Sequence, residues 1–575
     1  MRMLPSSFYS HRGLAIAGAA ACILALVACG YHESAPPGPP PPPPSPAPSP
    51  SATEESVVTT GTAGMAQDQA VGRMYAPSPM YRSAPENTET YPDAKPNPVH
   101  VAATDPVSTF SIDVDTASYS NIRRFLNEGS LPPTDAVRVE EMVNYFDYAY
   151  ALPADRSQPF QPTVAVYPTP WNKNTLLLHI GIKGFDIPRA ERPHANLVFL
   201  IDTSGSMDEP NKLPLLKRSF RLLVDQLQPD DKVSIVVYAG SAGTVLPPTS
   251  GADKAAILAA LDNLSAGGST AGGEGIRQAY QLAEANFDKN AVNRVILATD
   301  GDFNVGITDP NALEDFVARK RETGIFLTVL GFGEGNYHDA TMQKLAQAGN
   351  GNAAYIDTLN EARKVFVEQI SGTLFTIAKD VKIQVEFNPA RVAEYRLIGY
   401  ETRLLDRTDF NNDRVDAGDI GSGHTVTAIY EITPVGSPGQ MADPLRYPQG
   451  QPQQPVREKP TTGEYAFVKI RYKLPNEDTS HLITRAVTEA DVQPDFGKLP
   501  MDLRFAAAVA GAGQLLRHDP YIKDFDYDRV IEIAQNARGT DAYGYRSEFV
   551  QMLREAKTAA AMQPLEQPGG GGNPP

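Results

Sequence analysis

The run NLVFLID, residues 196–202, constrains this chain more than any other segment. Its centre, LVFLI, has no polar alternation, so the strand it predicts is buried on both faces, as in the middle of a parallel α/β sheet. The run stops at Asp202, and the continuation DTSGSM sets oxygen-bearing side chains at 202, 204 and 206. Parallel sheets carry their sites at the carboxyl ends of their strands. The strand therefore predicts a functional edge as well as a fold.

Residues 194–374 extend the pattern. Helix-periodic and strand-like runs alternate through LPLLKRSFRLLVDQL, KVSIVVYA, AAILAALDNL, IRQAYQLAEANF, RVILATD, ALEDFVARKRE, IFLTVLGF, ATMQKLAQAG, AAYID and a final helix. That alternation predicts an α/β fold, a doubly wound parallel-sheet (Rossmann-like) domain. Strand-like runs lie before it (PTVAVYPTPW, TLLLHIGIKGF) and after it (VKIQVEFNP, YRLIGYETR, HTVTAIYEIT, GEYAFVKIRYKL). They predict one β-sandwich whose halves flank the insert. Three helix-periodic segments follow Asp502, and two helices are expected near the start, from about Ser120 and over 135–146.

The amino end reads as a processing signal: Arg2, His11 and Arg12 precede the apolar LAIAGAAACILALVA. It ends in Leu26, Val27 and Ala28, which with the following Cys29 resemble the lipobox of bacterial lipoproteins. The resemblance implies cleavage before Cys29, acylation of that cysteine and membrane attachment through the lipid. Gly30, where similar lipoproteins retained at the inner membrane carry Asp, favours the outer membrane of a bacterial envelope. Cys22 lies in the segment that would be removed, so no disulfide is expected. Pro36–Pro50 favours extended polyproline II and spans about 45 Å at ~3.1 Å per residue. The expected parts are a signal peptide over 1–28, a disordered linker over 29–106, a helix-plus-strand region over 107–193, the α/β domain over 194–374, sandwich and helices over 375–562, and a disordered tail over 563–575. The net charge of -17 argues against nucleic acid as a partner.

Three loops at the sheet's carboxyl edge carry oxygens. Asp202, Ser204 and Ser206 leave the first strand, Thr270 lies in the glycine-rich SAGGSTAGGEG, and Asp300 ends RVILATD. Two carboxylates and three hydroxyls suit Mg²⁺ or Mn²⁺. No HExxH pair or cysteine cluster offers zinc a site. The glycine-rich loop lacks the Lys-Ser/Thr ending of a phosphate cradle, and GFGEGNY reads as a turn.

DTSGS, the loop threonine and TDG, in this order and on these elements, resemble the metal-ion-dependent adhesion site of von Willebrand factor type A (VWA) domains. FSIDVDTASYSNIRRFL, YRLIGYETR and GSGHTVTAIYEI are similar to segments of bacterial lipoproteins that hold such a domain between a family-specific N-terminal segment and a C-terminal region of undefined function. The resemblance implies that Ser204, Ser206 and Thr270 contact the metal directly, that Asp202 and Asp300 act mostly through water, and that an acidic side chain of a protein partner completes the shell. Asp208 and Glu209 echo the acids that hold a second ion in integrin β subunits, but they are shifted by one residue and read as a solvated loop. DFNNDRVDAGDI, 409–420, begins like a calcium loop, giving Ca²⁺ as a further candidate; Arg414 stands where the turn wants Gly, and Ile420 where it wants Glu.

The reading is an envelope-anchored binding module and not an enzyme. The alternatives are a structural envelope lipoprotein with a vestigial site and a metal-dependent hydrolase, against which stand the lack of a His or Lys base beside the motif and of a GxSxG elbow. Growth with labelled palmitate should mark the wild-type protein and leave Cys29→Ala unlabelled; label on the variant would refute acylation at Cys29.

Overall fold

The computed structural model describes residues 89–92, 95–154, 156–268, 272–301, 309–335, 337–443, 463–522 and 524–562. The signal segment, Cys29, the proline run, Thr270 and the tail over 563–575 lie outside these residues.

All eight residues of the strand Ala195–Asp202 are buried. It pairs in parallel with Lys232–Ala239 on one side and Val292–Thr299 on the other, which makes it central. The sheet runs Ala353–Ile356, Ile325–Phe332, Val292–Thr299, Ala195–Asp202, Lys232–Ala239, Ser241–Ser250. Two separate cores cover its faces, one around Leu197, Phe199 and Phe220, the other around Val198, Leu200 and Ile276. This is the doubly wound sheet that the strand–helix alternation predicts, with one edge strand added. Ser241–Ser250 is an antiparallel edge strand although its sequence, SAGTVLPPTS, reads as a loop. Pro247 and Pro248 cannot donate to a ladder, and an edge strand tolerates them.

The flanking strands form two antiparallel sheets. The first runs His100–Val101, Val392–Ile398, Thr425–Pro434, Asn172–Lys183, Pro162–Thr169. The second is built from Gly418–Gly421, Thr376–Phe387, Glu464–Lys473 and Ser480–Thr488, with Val107–Ser111 also on Thr376–Phe387. Phe110, Ile180, Ile383, Val385 and Val468 share the core of these strands. The pairing of Thr425–Pro434 with Asn172–Lys183 joins chain on either side of the insert. Helices Ala117–Asn127, Val139–Asn144, Met501–Leu516, Tyr527–Asn536 and Tyr545–Met562 share a fourth core, around Phe146, Phe505 and Phe549, with Leu177 and Ile429 of the first sheet.

Two local expectations are corrected. The helix expected over 135–146 is a 3₁₀ turn, Thr134–Ala136, and a short helix, Val139–Asn144. Arg138 stays extended between them, its N–H donating to Ser118 Oγ at 2.9 Å and its side chain paired with Glu141 and, at 2.7 Å, Asp339. The linker expected to reach 106 packs earlier. Asn97 donates to the carbonyls of Leu397 and Gly399 at 3.1 and 2.8 Å, His100–Val101 pairs with the first sheet, and Ala102 is fully buried. Side-chain-to-backbone anchors of this kind leave no hydrophobic period to read.

The seam between insert and frame is charged and dry. Arg123, 1% exposed, pairs with Asp357, with Glu361 at 2.7 Å and with Glu548 at 3.0 Å. Asp115 accepts from the Ala353 N–H of the insert at 2.8 Å and from Arg403 at 2.8 Å. Removing one member of such a cluster strands the others without water. Arg123→Ala should therefore lower unfolding free energy by roughly 3–5 kcal/mol in urea titration; a variant as stable as wild type would mean the seam is held by something else.

Candidate metal centre

The central strand delivers Asp202 to the sheet's edge with no exposed surface. Its Oδ1 accepts from the Ser204 N–H at 2.8 Å, a tight turn that reverses the chain, and a 3₁₀ segment over Gly205–Asp208 follows. Ser204 and Ser206 thereby bring their Oγ atoms to 3.0 Å. Ser204 is 2% exposed; Ser206 faces solvent. The glycine-rich loop is laced to this turn, Gly267 donating to the Thr203 carbonyl at 2.8 Å and Gly205 to the Gly268 carbonyl at 3.0 Å. The loop is thus fixed beside the motif up to Gly268, two residues short of Thr270.

From the neighbouring strand, Thr299 Oγ1 donates to Asp202 Oδ2 at 3.2 Å, and Asp300 follows, also with no exposed surface. The chain then turns through Gly301 at φ +104, where only glycine is unstrained. Burial pushes Asp202 up to about 6; hydrogen bonds from Ser204 oppose the rise and the charge of Asp300 adds to it. Above that pH the ionised carboxylate weighs against the folded state by its lost hydration, unless a cation offsets it. The structure thus brings Asp202, Ser204 and Ser206 into contact and sets Asp300 within electrostatic reach.

The donors fit a hard divalent ion. In an octahedral shell with metal–oxygen distances near 2.1 Å, adjacent ligands lie about 3.0 Å apart, which is the Ser204–Ser206 separation. Among the described residues no group of three His, Cys, Asp or Glu gathers as a metal cage. Asp208 and Glu209 are exposed, as a solvated loop requires.

The calcium candidate is corrected. In the 409–420 loop the Asp409 and Asn412 carbonyls accept from Lys382 Nζ at 3.1 and 2.7 Å, and Asp413 pairs with Arg471. Asp413, whose side chain a Ca²⁺ loop would offer at its fifth position, is already met by a guanidinium of the protein.

A lysine beside the motif went unread in the sequence. Lys212 Nζ donates to Asp300 Oδ2 at 3.1 Å, with side-chain exposures of 5% and 0%. Lys212 is the N-cap of the helix Leu213–Gln226 and makes no capping bond. That position favours Ser, Thr, Asp or Asn, and the helix dipole disfavours a cation there; this double misfit is the signal available in NKLPLL. Among the described residues Tyr238 is also a titratable neighbour of the acids, and burial pushes its phenol far upward.

Against known families, residues 196–369 match the von Willebrand factor type A domain, 85–179 match a family described as von Willebrand factor, and 372–559 match the C-terminal domain of uncharacterized protein YfbK. The chain is similar to uncharacterized protein YfbK of Escherichia coli, 46% identical over 475 residues, covering 82% of this chain and 81% of that protein. An uncharacterized Synechocystis protein is 29% identical over 34% of this chain and 45% of its own length. Among solved structures, a von Willebrand factor type A protein from Catenulispora acidiphila aligns over 71% of this chain and 91% of its own, at 18% identity and a TM-score of 0.39.

Gly333, at φ +74, leaves room for the Lys212 stem, which a Cβ there would strike. Gly333→Ala should cost roughly 1–3 kcal/mol in urea unfolding; wild-type stability would show that the stem is not seated there.

Proposed function

Because the chain belongs to the YfbK family of VWA-domain proteins, we propose that it is a binding module in which a divalent ion, Mg²⁺ or Mn²⁺, held by Asp202, Ser204, Ser206, Thr270 and Asp300, captures an acidic side chain of a protein partner. The observation that carries this reading is the 3.0 Å hydroxyl pair set against two carboxylates without solvent. When bound, the ion supplies a Lewis-acid contact for one further anionic oxygen. The chain's own residues supply the rest: Ser204 and Ser206 present neutral oxygens, Thr299 and the Ser204 N–H orient Asp202, and Lys212 holds Asp300.

Binding is favoured over hydrolysis by the neighbours of the acids. Lys212 is committed to Asp300, and the Tyr238 phenol, raised by burial, is no base at neutral pH. We further propose that Cys29 carries the lipid and that the proline run holds the module off a membrane of the bacterial envelope, the outer membrane being favoured. None of the described helices is long and apolar enough to cross a membrane; in this reading the acyl chains supply the attachment.

Calorimetric titration of the protein with MnCl₂ tests the site. Ser204→Ala and Asp300→Asn should each weaken Mn²⁺ binding at least about tenfold and abolish EDTA-sensitive retention of partner from envelope extract, while circular dichroism stays native. Variants that bind Mn²⁺ as the wild type does would end this reading.

A further inference from the structure

Lys212 stands where two physical preferences oppose it: at a helix N-terminus, the positive end of the dipole, and out of water. Yet its place is constructed. Its N–H donates to the Glu209 carbonyl at 3.0 Å, its own carbonyl accepts from Leu216 at 2.8 Å, and Gly333 gives up a side chain to make space for the stem. The ammonium then reaches Asp300 on the next strand of the sheet, 88 residues further along the chain. A lysine so placed contributes a charge that neither water nor salt screens well.

The charge balance shows what that does. Two carboxylates alone would match a divalent ion and leave the loaded site neutral, with little hold on a further anion. Counting the two carboxylates, the ion and Lys212 among the described residues, the loaded site carries one net positive charge. The same ammonium repels the arriving metal and attracts the arriving carboxylate. We propose that Lys212 is a fixed cation that trades metal affinity for affinity toward an anionic ligand, so that the site is completed only when a partner's carboxylate joins the ion. This rests on the metal-dependent binding function argued above, and it adds a specificity-determining residue outside the set of ion ligands.

The two affinities should move in opposite directions, which a purely structural lysine would not produce. The experiment uses the full chain at pH 7.5, Mn²⁺ as the metal and acetate as the carboxylate probe. Calorimetry reads Mn²⁺ affinity, and water-proton relaxation of the Mn²⁺-loaded protein reads acetate binding. Lys212→Met, which keeps the stem and removes the charge, should bind Mn²⁺ about tenfold tighter and acetate several-fold more weakly. It should also melt lower than wild type in EDTA and recover more on adding Mn²⁺, since the ion then neutralises carboxylates that have lost their internal partner. Lys212→Arg should keep both affinities close to wild type. If Lys212→Met does not fold, Lys212→Gln, which can still donate to Asp300, carries the same comparison. Wild-type Mn²⁺ affinity in the uncharged variant, or a shift of both affinities in the same direction, would overturn the proposal while leaving the ion site standing. No Mn²⁺ binding by the wild type would overturn both.

Discussion

Charge without water is the constraint on which this structure depends. A buried carboxylate or guanidinium costs several kcal/mol unless opposite charge and hydrogen bonds meet it. Asp202 and Asp300 sit at the edge of the central sheet with no exposed surface. Arg123 bridges the first helix, Ala117–Asn127, to Asp357 and Glu361 of the insert. Arg403 serves Asp113 and Asp115 at 3.0 and 2.8 Å, and Asp115 in turn takes an insert N–H. Because each cluster tolerates only one geometry, the domain is fixed against its frame and the acids at its edge are left with a defined demand for positive charge.

Two lysines show how that demand is met differently in two loops. Lys382 places its ammonium among backbone carbonyls of the 409–412 segment, and Arg471 pairs with Asp413 of the same loop. The Lys212 ammonium, among the described residues, meets Asp300. Asp202 is served by a hydroxyl and an N–H, and among the described residues no cation lies within ion-pair distance of it. Two loops that look alike in acid content therefore differ in what they can accept.

What the sequence disclosed follows from period and order. The unbroken apolar run of 197–201, the strand–helix alternation after it and the alternating strands on either side disclosed the sheet and the sandwich, since burial of whole elements leaves a periodic trace. Three short signatures at the ends of three predicted elements singled out the candidate site, of which the structure brings together Asp202, Ser204, Ser206 and Asp300, while Thr270 lies outside the described residues. What stayed hidden is held by single side chains acting across long stretches of chain. Lys212 finds Asp300 and Arg123 finds Glu361 238 residues away, and neither pairing has a local signature. Asn97 anchors a segment that composition marks as linker, Arg138 breaks a helix that periodicity runs through, and Ser241–Ser250 forms a strand despite its prolines.

The central claim is that the carboxyl edge of the sheet is an ion site built from hydroxyls as much as from acids. Crystals grown with Mn²⁺ and measured by anomalous scattering at the manganese edge test it most directly. The account predicts a peak about 2.1–2.2 Å from the Oγ atoms of both Ser204 and Ser206, with Asp202 and Asp300 around it. A peak confined to other acidic loops, or none beside the two serines, would contradict it.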